Sequence, residues 1–185
     1  MRTFISLFLL VSCAAAQSIP PNRLTFSGGW SRESGGSYFD HRTATGLGLS
    51  YAYRFHPHVE AEAGLIVALS PSANNCGQRG GVDCDDRLYW APFGVRFVAP
   101  IRTGRLELSA GGGGLYERYT VGNPIAPGYE APRHGWGGYF VGSTAIALDR
   151  SHHFWLGVTP RWFLANPPYN RDRWFQLSGE FSIRF

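Results

Sequence analysis

Charged side chains recur at alternate positions inside segments that are otherwise apolar, and they are the first candidates for chemistry. The six that share the polar faces of neighbouring segments are Glu60, Glu62, Arg96, Glu107, Arg161 and Glu180. Carboxylates and guanidiniums on one face can line a selective water path, or they can pair with one another and fill the space between them. Both interpretations require elements that enclose a common interior.

Two histidine pairs raise the question of a metal site. His56 and His58 flank one short connection, and His152 and His153 lie at another. In the eight-stranded ring argued below, these connections fall on opposite sides, so we interpret the histidines as solvated turn residues. The acidic residues of the range 83–86 lack the spaced ligands and final Glu of a calcium loop. We therefore predict no metal and no cofactor.

Catalytic and phosphate-binding motifs are weak in this chain. Gly111–Gly114 opens no helix and precedes no Lys-Ser/Thr pair, so we interpret it as a bend within a strand. The serines of the range 31–37 have Asp40 and His41 nearby, which are the residue types of a hydrolytic triad. Any polar loop has this composition, and we predict that the protein is not an enzyme.

The beginning of the chain has the features of an export signal. A basic residue is followed by the apolar run Phe4–Val11 and by three alanines. Residues 1–16 are therefore predicted to be a signal peptide, and 17–185 a single domain. Lipoprotein-type cleavage at Cys13 stays open as an alternative. Both interpretations send the mature chain out of the cytoplasm.

Two cysteines remain beyond position 13, and they are close in sequence. Cys76 and Cys84 lie in the longest irregular stretch of the chain. Exported proteins meet an oxidising compartment, so these two residues are predicted to form a local disulfide that pins a loop.

The charge composition excludes one class of partner. All 17 basic residues are arginines, and with 13 acidic residues the formal net charge is +4. This charge is too small and too scattered for a nucleic-acid-binding surface. The 24 glycines and the 15% aromatic content suit strands that bend into a closed wall.

Period-two alternation predicts eight β-strands. They are Asn22–Arg32, Thr43–Phe55, His58–Leu69, Leu88–Ala99, Arg105–Tyr119, His134–Leu148, His153–Ala165 and Arg173–Phe185. Leu, Val and Phe occupy one face, and charged residues share the other with Ser, Thr and Gly. The glycines of the sixth strand leave its register ambiguous. A soluble lipocalin-like barrel would show the same alternation with its apolar face inward, so strand pattern alone does not decide which face meets water.

The connections and the aromatic residues favour a wall that faces lipid. Long and short connections alternate, as in membrane barrels, whose short turns are periplasmic and whose longer loops lie outside. Aromatic residues sort by predicted height into two belts, as expected at the two headgroup layers. The belts comprise Trp30, Tyr89, Tyr116 and Trp162 at the outer ends, and Tyr51 and Tyr53 at the periplasmic ends.

The last strand carries the most specific motif. Phe181, Ile183 and Phe185 alternate with polar residues, and the sequence ends on the phenylalanine. This pattern resembles the carboxy-terminal assembly signal of Gram-negative outer-membrane β-barrel proteins. The mature chain as a whole resembles the small OmpA/OmpX-type barrels. The resemblance implies an all-β, eight-stranded antiparallel up-and-down transmembrane β-barrel, monomeric, located in the outer membrane and recognised by the barrel-assembly machinery.

An eight-stranded barrel is narrow enough for side chains to fill its interior, which favours a salt-bridged lumen over an open path. A second candidate site is the set of arginines at the outer strand ends, because guanidiniums bind the phosphates of lipopolysaccharide. They are Arg32, Arg42, Arg79, Arg87, Arg118, Arg133, Arg171 and Arg173. We predict a structural or surface-interaction protein that contacts lipopolysaccharide. The alternative is a narrow porin-like channel for small solutes or apolar molecules, and the least favoured function is a lipid A-modifying enzyme.

Overall fold

The computed structural model describes residues 20–34, 43–72, 87–101, 104–120, 133–165 and 172–185. Over these residues the chain forms eight β-strands. They are β1 (Asn22–Glu33), β2 (Thr43–His56), β3 (Val59–Ser72), β4 (Arg87–Ile101), β5 (Leu106–Thr120), β6 (Arg133–Ala147), β7 (Phe154–Ala165) and β8 (Asp172–Arg184). No helix in the described part of the chain is long and apolar enough to cross a membrane.

The strands close into a barrel in sequence order. Each strand pairs antiparallel with the next, and β1 pairs with β8 from Arg23 opposite Arg184 to Glu33 opposite Trp174. Closure leaves no sheet edge, and a sheet surrounded by hydrocarbon requires this because lipid offers the backbone no hydrogen bonds. The predicted eight-stranded antiparallel barrel is confirmed.

The two faces of the wall differ in polarity. On β1, the outward Phe26 and Trp30 are 48% and 45% exposed, whereas the inward Thr25 and Ser31 are 4% and 0% exposed. The same alternation runs through the other strands, with large apolar side chains such as Leu47, Phe97 and Phe140 outside. A soluble barrel has the reverse arrangement. The apolar face therefore points away from the interior, as expected for a barrel in lipid.

The two rims of the barrel differ in how many residues join their strand ends. At one rim the strand pairs β2–β3, β4–β5 and β6–β7 are joined by two, four and six residues, whereas at the other the pairs β1–β2, β3–β4, β5–β6 and β7–β8 are joined by nine, fourteen, twelve and six. Short turns are periplasmic in membrane barrels, so we call the first rim periplasmic and the second outer.

The strand bounds differ from the predicted ones by no more than three residues. The largest difference is at β3, which continues to Ser72 instead of Leu69. The ambiguous register of the sixth strand resolves with Tyr139 and Val141 inward and Trp136 and Phe140 outward. The alternation of Gly135, Gly137 and Gly138 with these aromatics is too poor in polar residues to have indicated the inward face.

Asp149 organises the periplasmic turn between β6 and β7. Its carboxylate accepts hydrogen bonds from the hydroxyl of Ser151, from the backbone N of Phe154 at 2.9 Å and from that of His153 at 3.1 Å. These bonds, led by the one from Ser151, lower the pKa of Asp149 below its ordinary range. His152 has a φ of 60° and is buried. Its interpretation as a solvated turn residue is therefore wrong.

Candidate functional site: the interior of the barrel

The inward face of the wall carries buried charged and aromatic side chains in three layers along the barrel axis. The periplasmic layer comprises Arg23, Arg54, Glu60, Glu107, Trp155 and Arg184. The middle layer comprises Glu62, Arg96, Tyr139, Arg161 and Glu180. The outer layer comprises Leu88, Trp90, Leu115, Glu117, Phe163 and Trp174. Strand alternation turns these side chains inward, since every second residue of a strand points to the same side of the sheet.

Glu107 is the centre of the periplasmic layer. Its Oε1 lies 2.6 Å from Nη2 of Arg184 and 3.7 Å from Nη1 of Arg23, and its Oε2 lies 2.9 Å from Nη2 of Arg54. Glu60 pairs with Arg23 and accepts a second contact from Arg54 at 3.4 Å. One carboxylate on β5 thus joins β1, β2 and β8, none of which is its neighbour in the sheet.

Trp155 belongs to the same layer and contacts Arg184. Its ring is 1% exposed, and its Nε1 donates to the backbone carbonyl of His152 at 2.7 Å. The guanidinium carbon of Arg184 lies 4.4 Å from the centre of the ring. This geometry is that of a cation–π contact, which adds to the ion pair that Arg184 makes with Glu107.

The middle layer consists of two ion pairs and a tyrosine. Glu62 accepts from Nη2 of Arg96 at 2.7 Å and from the hydroxyl of Tyr139 at 2.8 Å. Nη2 of Arg161 lies 2.5 Å from Glu180. Charges removed from water are tolerated when they are paired and hydrogen-bonded in this way.

An aromatic cluster forms the outer layer. The ring of Trp90 stacks on Phe163 with centroids 4.6 Å apart, and it meets Trp174 edge-on at 5.5 Å. Trp90 is 0% exposed, and its Nε1 donates to Glu117 at 2.7 Å. Leu115 is also 0% exposed within this cluster. The outer layer is therefore held by ring packing, and the periplasmic layer by charge.

The six charged residues singled out from the sequence all lie buried in ion pairs on the inward face. Three further members of the network were not singled out: Arg23, Arg54 and Arg184. Their positions opposite outward aromatic and aliphatic neighbours already indicated an inward direction. Each supplies a charge that Glu60 or Glu107 requires.

Small residues on β2 make room for side chains of other strands. A Cβ added at Gly46 would lie 3.2 Å from Nε2 of Gln176, and one added at Gly48 would lie 3.0 Å from Cγ1 of Ile66.

The predicted belt residues all point outward from the wall. Trp30 and Trp162 are exposed and Tyr89 and Tyr116 half-buried at the outer ends, while Tyr51 and Tyr53 are exposed at the periplasmic ends. Trp136, whose direction was not predictable because the register of β6 was ambiguous, is 66% exposed at the outer end. On β8, Phe181 and Phe185 are exposed and Ile183 is half-buried on the same outward face.

Several predicted site residues lie outside the described part of the chain. These are Cys76, Cys84, Arg42, Arg79 and Arg171, together with residues 1–16. Of the other outer-end arginines, Arg32, Arg118 and Arg173 are exposed. Within the described residues, no group of three or more His, Cys, Asp or Glu side chains could hold a metal ion.

No protein-family model matches the chain, and no curated protein matches its sequence. Solved structures do match. Neisserial surface protein A has a TM-score of 0.68 at 11% identity, covering 89% of this chain and 97% of its own. Ail, the attachment invasion locus protein of Yersinia pestis, has a TM-score of 0.57 at 10% identity, covering 89% and 100%. The outer membrane protein OprG of Pseudomonas aeruginosa has a TM-score of 0.56 at 11% identity, covering 90% and 98%.

At such low identity the likeness establishes the fold, which is that of the small eight-stranded outer-membrane β-barrels. The apolar outer wall and the charged interior do not depend on these comparisons, and they too are typical of a membrane β-barrel. The chain is an integral β-barrel of the bacterial outer membrane.

Proposed function

We propose that the protein is a non-conducting, monomeric barrel whose outer rim serves as an interaction surface and contacts lipopolysaccharide. The observation that carries this proposal is the three-layered interior, in which ion pairs and stacked rings lie across the bore from one rim to the other. An eight-stranded barrel has an interior just wide enough for such side chains.

The cost of opening a path supports a closed interior. A solute that passed the periplasmic layer would have to separate Glu107 from the three arginines that contact it. Separating a buried pair costs about 3–5 kcal/mol, because it leaves a charge without a partner in a medium of low dielectric. A path would also require the stacked rings of Trp90 and Phe163 to part.

The outer rim has the chemistry expected for phosphate. Arg32, Arg118 and Arg173 are exposed at the outer ends of β1, β5 and β8. A guanidinium offers two parallel N–H donors that match a phosphate group, and it stays charged at any physiological pH. The outer leaflet presents phosphorylated lipid at this height, so these arginines suit contact with lipopolysaccharide. On β8, the outward row of Phe181, Ile183 and Phe185 suits recognition by the barrel-assembly machinery.

Planar-bilayer recording tests the closed interior. The full chain, with its folding verified by heat-modifiable gel migration, is expected to give no conductance steps. A matched variant with Trp90→Ala and Trp155→Ala removes one large ring from each end of the bore. The two cavities admit water to the ion pairs between them, which weakens these pairs, so the variant is expected to give small steps or increased current noise.

The wild-type recording decides between a closed barrel and a narrow channel. Steady unitary steps from the wild-type protein would contradict a closed interior and support the narrow channel instead. A silent wild-type protein beside a conducting double variant would show that the recording detects openings of this size.

A further inference from the structure

The lipid-facing wall has a groove on β4, β5 and β6. Its volume is about 440 Å³, and its floor is formed by the glycines 111–113 and by Gly138. Its sides are the outward side chains of Val95, Phe97 and Phe140, which are 40%, 66% and 60% exposed. The groove exists because the two outward residues of its floor, Gly112 and Gly138, have no side chains to fill the space between Val95, Phe97 and Phe140.

Strand register sets what lies between the groove and the outer rim. Phe93, Gly114 and Gly138 form one outward row, and a Cβ at Gly114 would overlap the ring of Phe93. The ring therefore lies over that glycine, with its edge toward Trp136 at 6.3 Å. Trp136 in turn contacts Tyr116 at 5.1 Å. These rings form an aromatic collar at the outer end of the groove.

A basic residue and an imidazole lie above the aromatic collar. Arg118 and His134 are paired in the β5–β6 ladder, and both are exposed on the outward face. The ring of His134 stacks on Tyr116 at 6.4 Å. From the outer rim inward, these two strands thus present nitrogen donors, then aromatic rings, then an apolar groove.

The spacing of these parts fits one leaflet of a bilayer. Six residues separate Arg118 from Gly112, which is about 20 Å along an antiparallel strand. A strand tilt of roughly 40° reduces this to a depth of about 15 Å. That depth is about half of the ~30 Å hydrocarbon core, which is the thickness that the acyl chains of one leaflet fill.

We infer that one lipid A molecule binds this wall, with a phosphate at Arg118 and His134 and one acyl chain lying in the groove. This inference rests on the proposed contact with lipopolysaccharide and gives that contact a single site. The charge of Arg118 complements a phosphomonoester, and a methylene chain fits an apolar groove of this depth. A second copy of the barrel fits less well, because Phe97 and Phe140 project from the wall and hold another flat wall away.

Native mass spectrometry of the full barrel with purified lipid A tests the inference. Wild-type protein is expected to retain one lipid A molecule. Gly138→Leu fills the groove, and its Cβ makes only an ordinary contact, 3.4 Å from the carbonyl oxygen of Gly113. Retention is expected to fall about tenfold, as when about two methylene groups lose their apolar contact.

Gly179→Leu is the matched control. Gly179 faces outward on β8, across the barrel, and its Cβ would lie 4.0 Å from the nearest atom, the carbonyl oxygen of Gly28. This variant is expected to retain lipid A as the wild type does. For the phosphate end, Arg118→Gln is expected to weaken retention more than Arg32→Gln, which changes an outer-rim arginine on the far side of the barrel.

The outcomes separate this inference from the function on which it rests. Wild-type protein that retains no lipid A would overturn both. Retention that is equal in Gly138→Leu and Gly179→Leu would overturn the groove alone. Equal retention of phosphatidylcholine, which has acyl chains but no phosphomonoester, would overturn the phosphate contact at Arg118 and His134. A wild-type dimer that Gly138→Leu converts to a monomer would assign the groove to a second copy and overturn the lipid site.

Discussion

The two ends of the bore are filled by different physical means. At the periplasmic end, Glu107 contacts Arg23, Arg54 and Arg184 from strands that are not its neighbours. At the outer end, Trp90 packs against Phe163 and Trp174. Ion pairs in low dielectric depend on each partner being present, whereas ring packing is spread over many weak contacts. The charged end should therefore be sensitive to the loss of one group, and the aromatic end should tolerate such a loss.

The largest effect is expected from Glu107→Gln. The amide keeps the shape of the side chain, but it leaves three arginines to share the charge of Glu60. The free energy of unfolding should fall by about 3–5 kcal/mol, the usual cost of removing one partner from a buried ion network. Denaturant titration of the barrel in lipid vesicles measures this change.

Ser143→Ala is a suitable control for Glu107→Gln. The hydroxyl of Ser143 lies 2.6 Å from that of Ser109 on the same inward face. Removing one neutral hydrogen bond should cost about 1 kcal/mol. If both substitutions cost the same, the periplasmic layer would not depend on its charges in the way proposed.

Trp90→Phe is expected to have a smaller effect at the outer end. Phenylalanine keeps a ring against Phe163, but it loses the hydrogen bond that the indole donates to Glu117. Unfolding free energy should fall by about 1–3 kcal/mol. Trp30→Phe, on the exposed outer wall, should stay within about 0.5 kcal/mol of the wild type. A loss at Trp90 as large as that at Glu107 would remove the contrast between the two ends.

The smallest effect is expected at Asp149, in the periplasmic turn outside the three layers. Since its folded-state pKa is lowered from the ordinary value of 3.8, its stabilising contribution is present above that value. The contribution is lost as the pH falls through the folded-state pKa. The stability difference between wild type and Asp149→Asn should therefore be full near neutral pH and shrink below about pH 4.

Denaturant titrations of the barrel in lipid vesicles across that pH range check this prediction. Arg150→Gln changes a charge in the same turn without removing a hydrogen bond to the carboxylate, and its effect should not follow the same pH dependence. A difference between wild type and Asp149→Asn that stays constant down to the lowest pH would contradict the assignment.

Alternation predicted the strands and the face that the six charged residues share. The export signal, the aromatic belts and the terminal phenylalanine were needed to indicate that the apolar face is the outward one. None of these features indicated which of the charged residues pair. Glu62 accepts a hydrogen bond across the bore from the hydroxyl of Tyr139, which lies 77 positions away in the sequence. Such contacts depend on how far each strand is staggered against the next, and no local pattern of residues encodes that stagger.

The groove shows the other limit of sequence-based prediction. Gly111–Gly114 could be interpreted as a bend, but a lipid groove needs Gly138 beside it, and that pairing depends on the register of β6. The glycines of β6 were the reason that its register stayed ambiguous. Gly138 thus belongs both to the groove and to the glycines that made the groove unpredictable from the sequence.

The position of Glu107 has a consequence for how the chain folds. Its carboxylate lies 3.7 Å from Arg23 on the first strand and 2.6 Å from Arg184 on the last. Contacts between residues so far apart in sequence give a high contact order, and such topologies fold slowly. A barrel that lacks its first or last strand cannot complete this cluster. The carboxylate of Glu107 therefore gains all its partners only when β1 pairs with β8, which makes closure of the barrel the step that stabilises the buried charge.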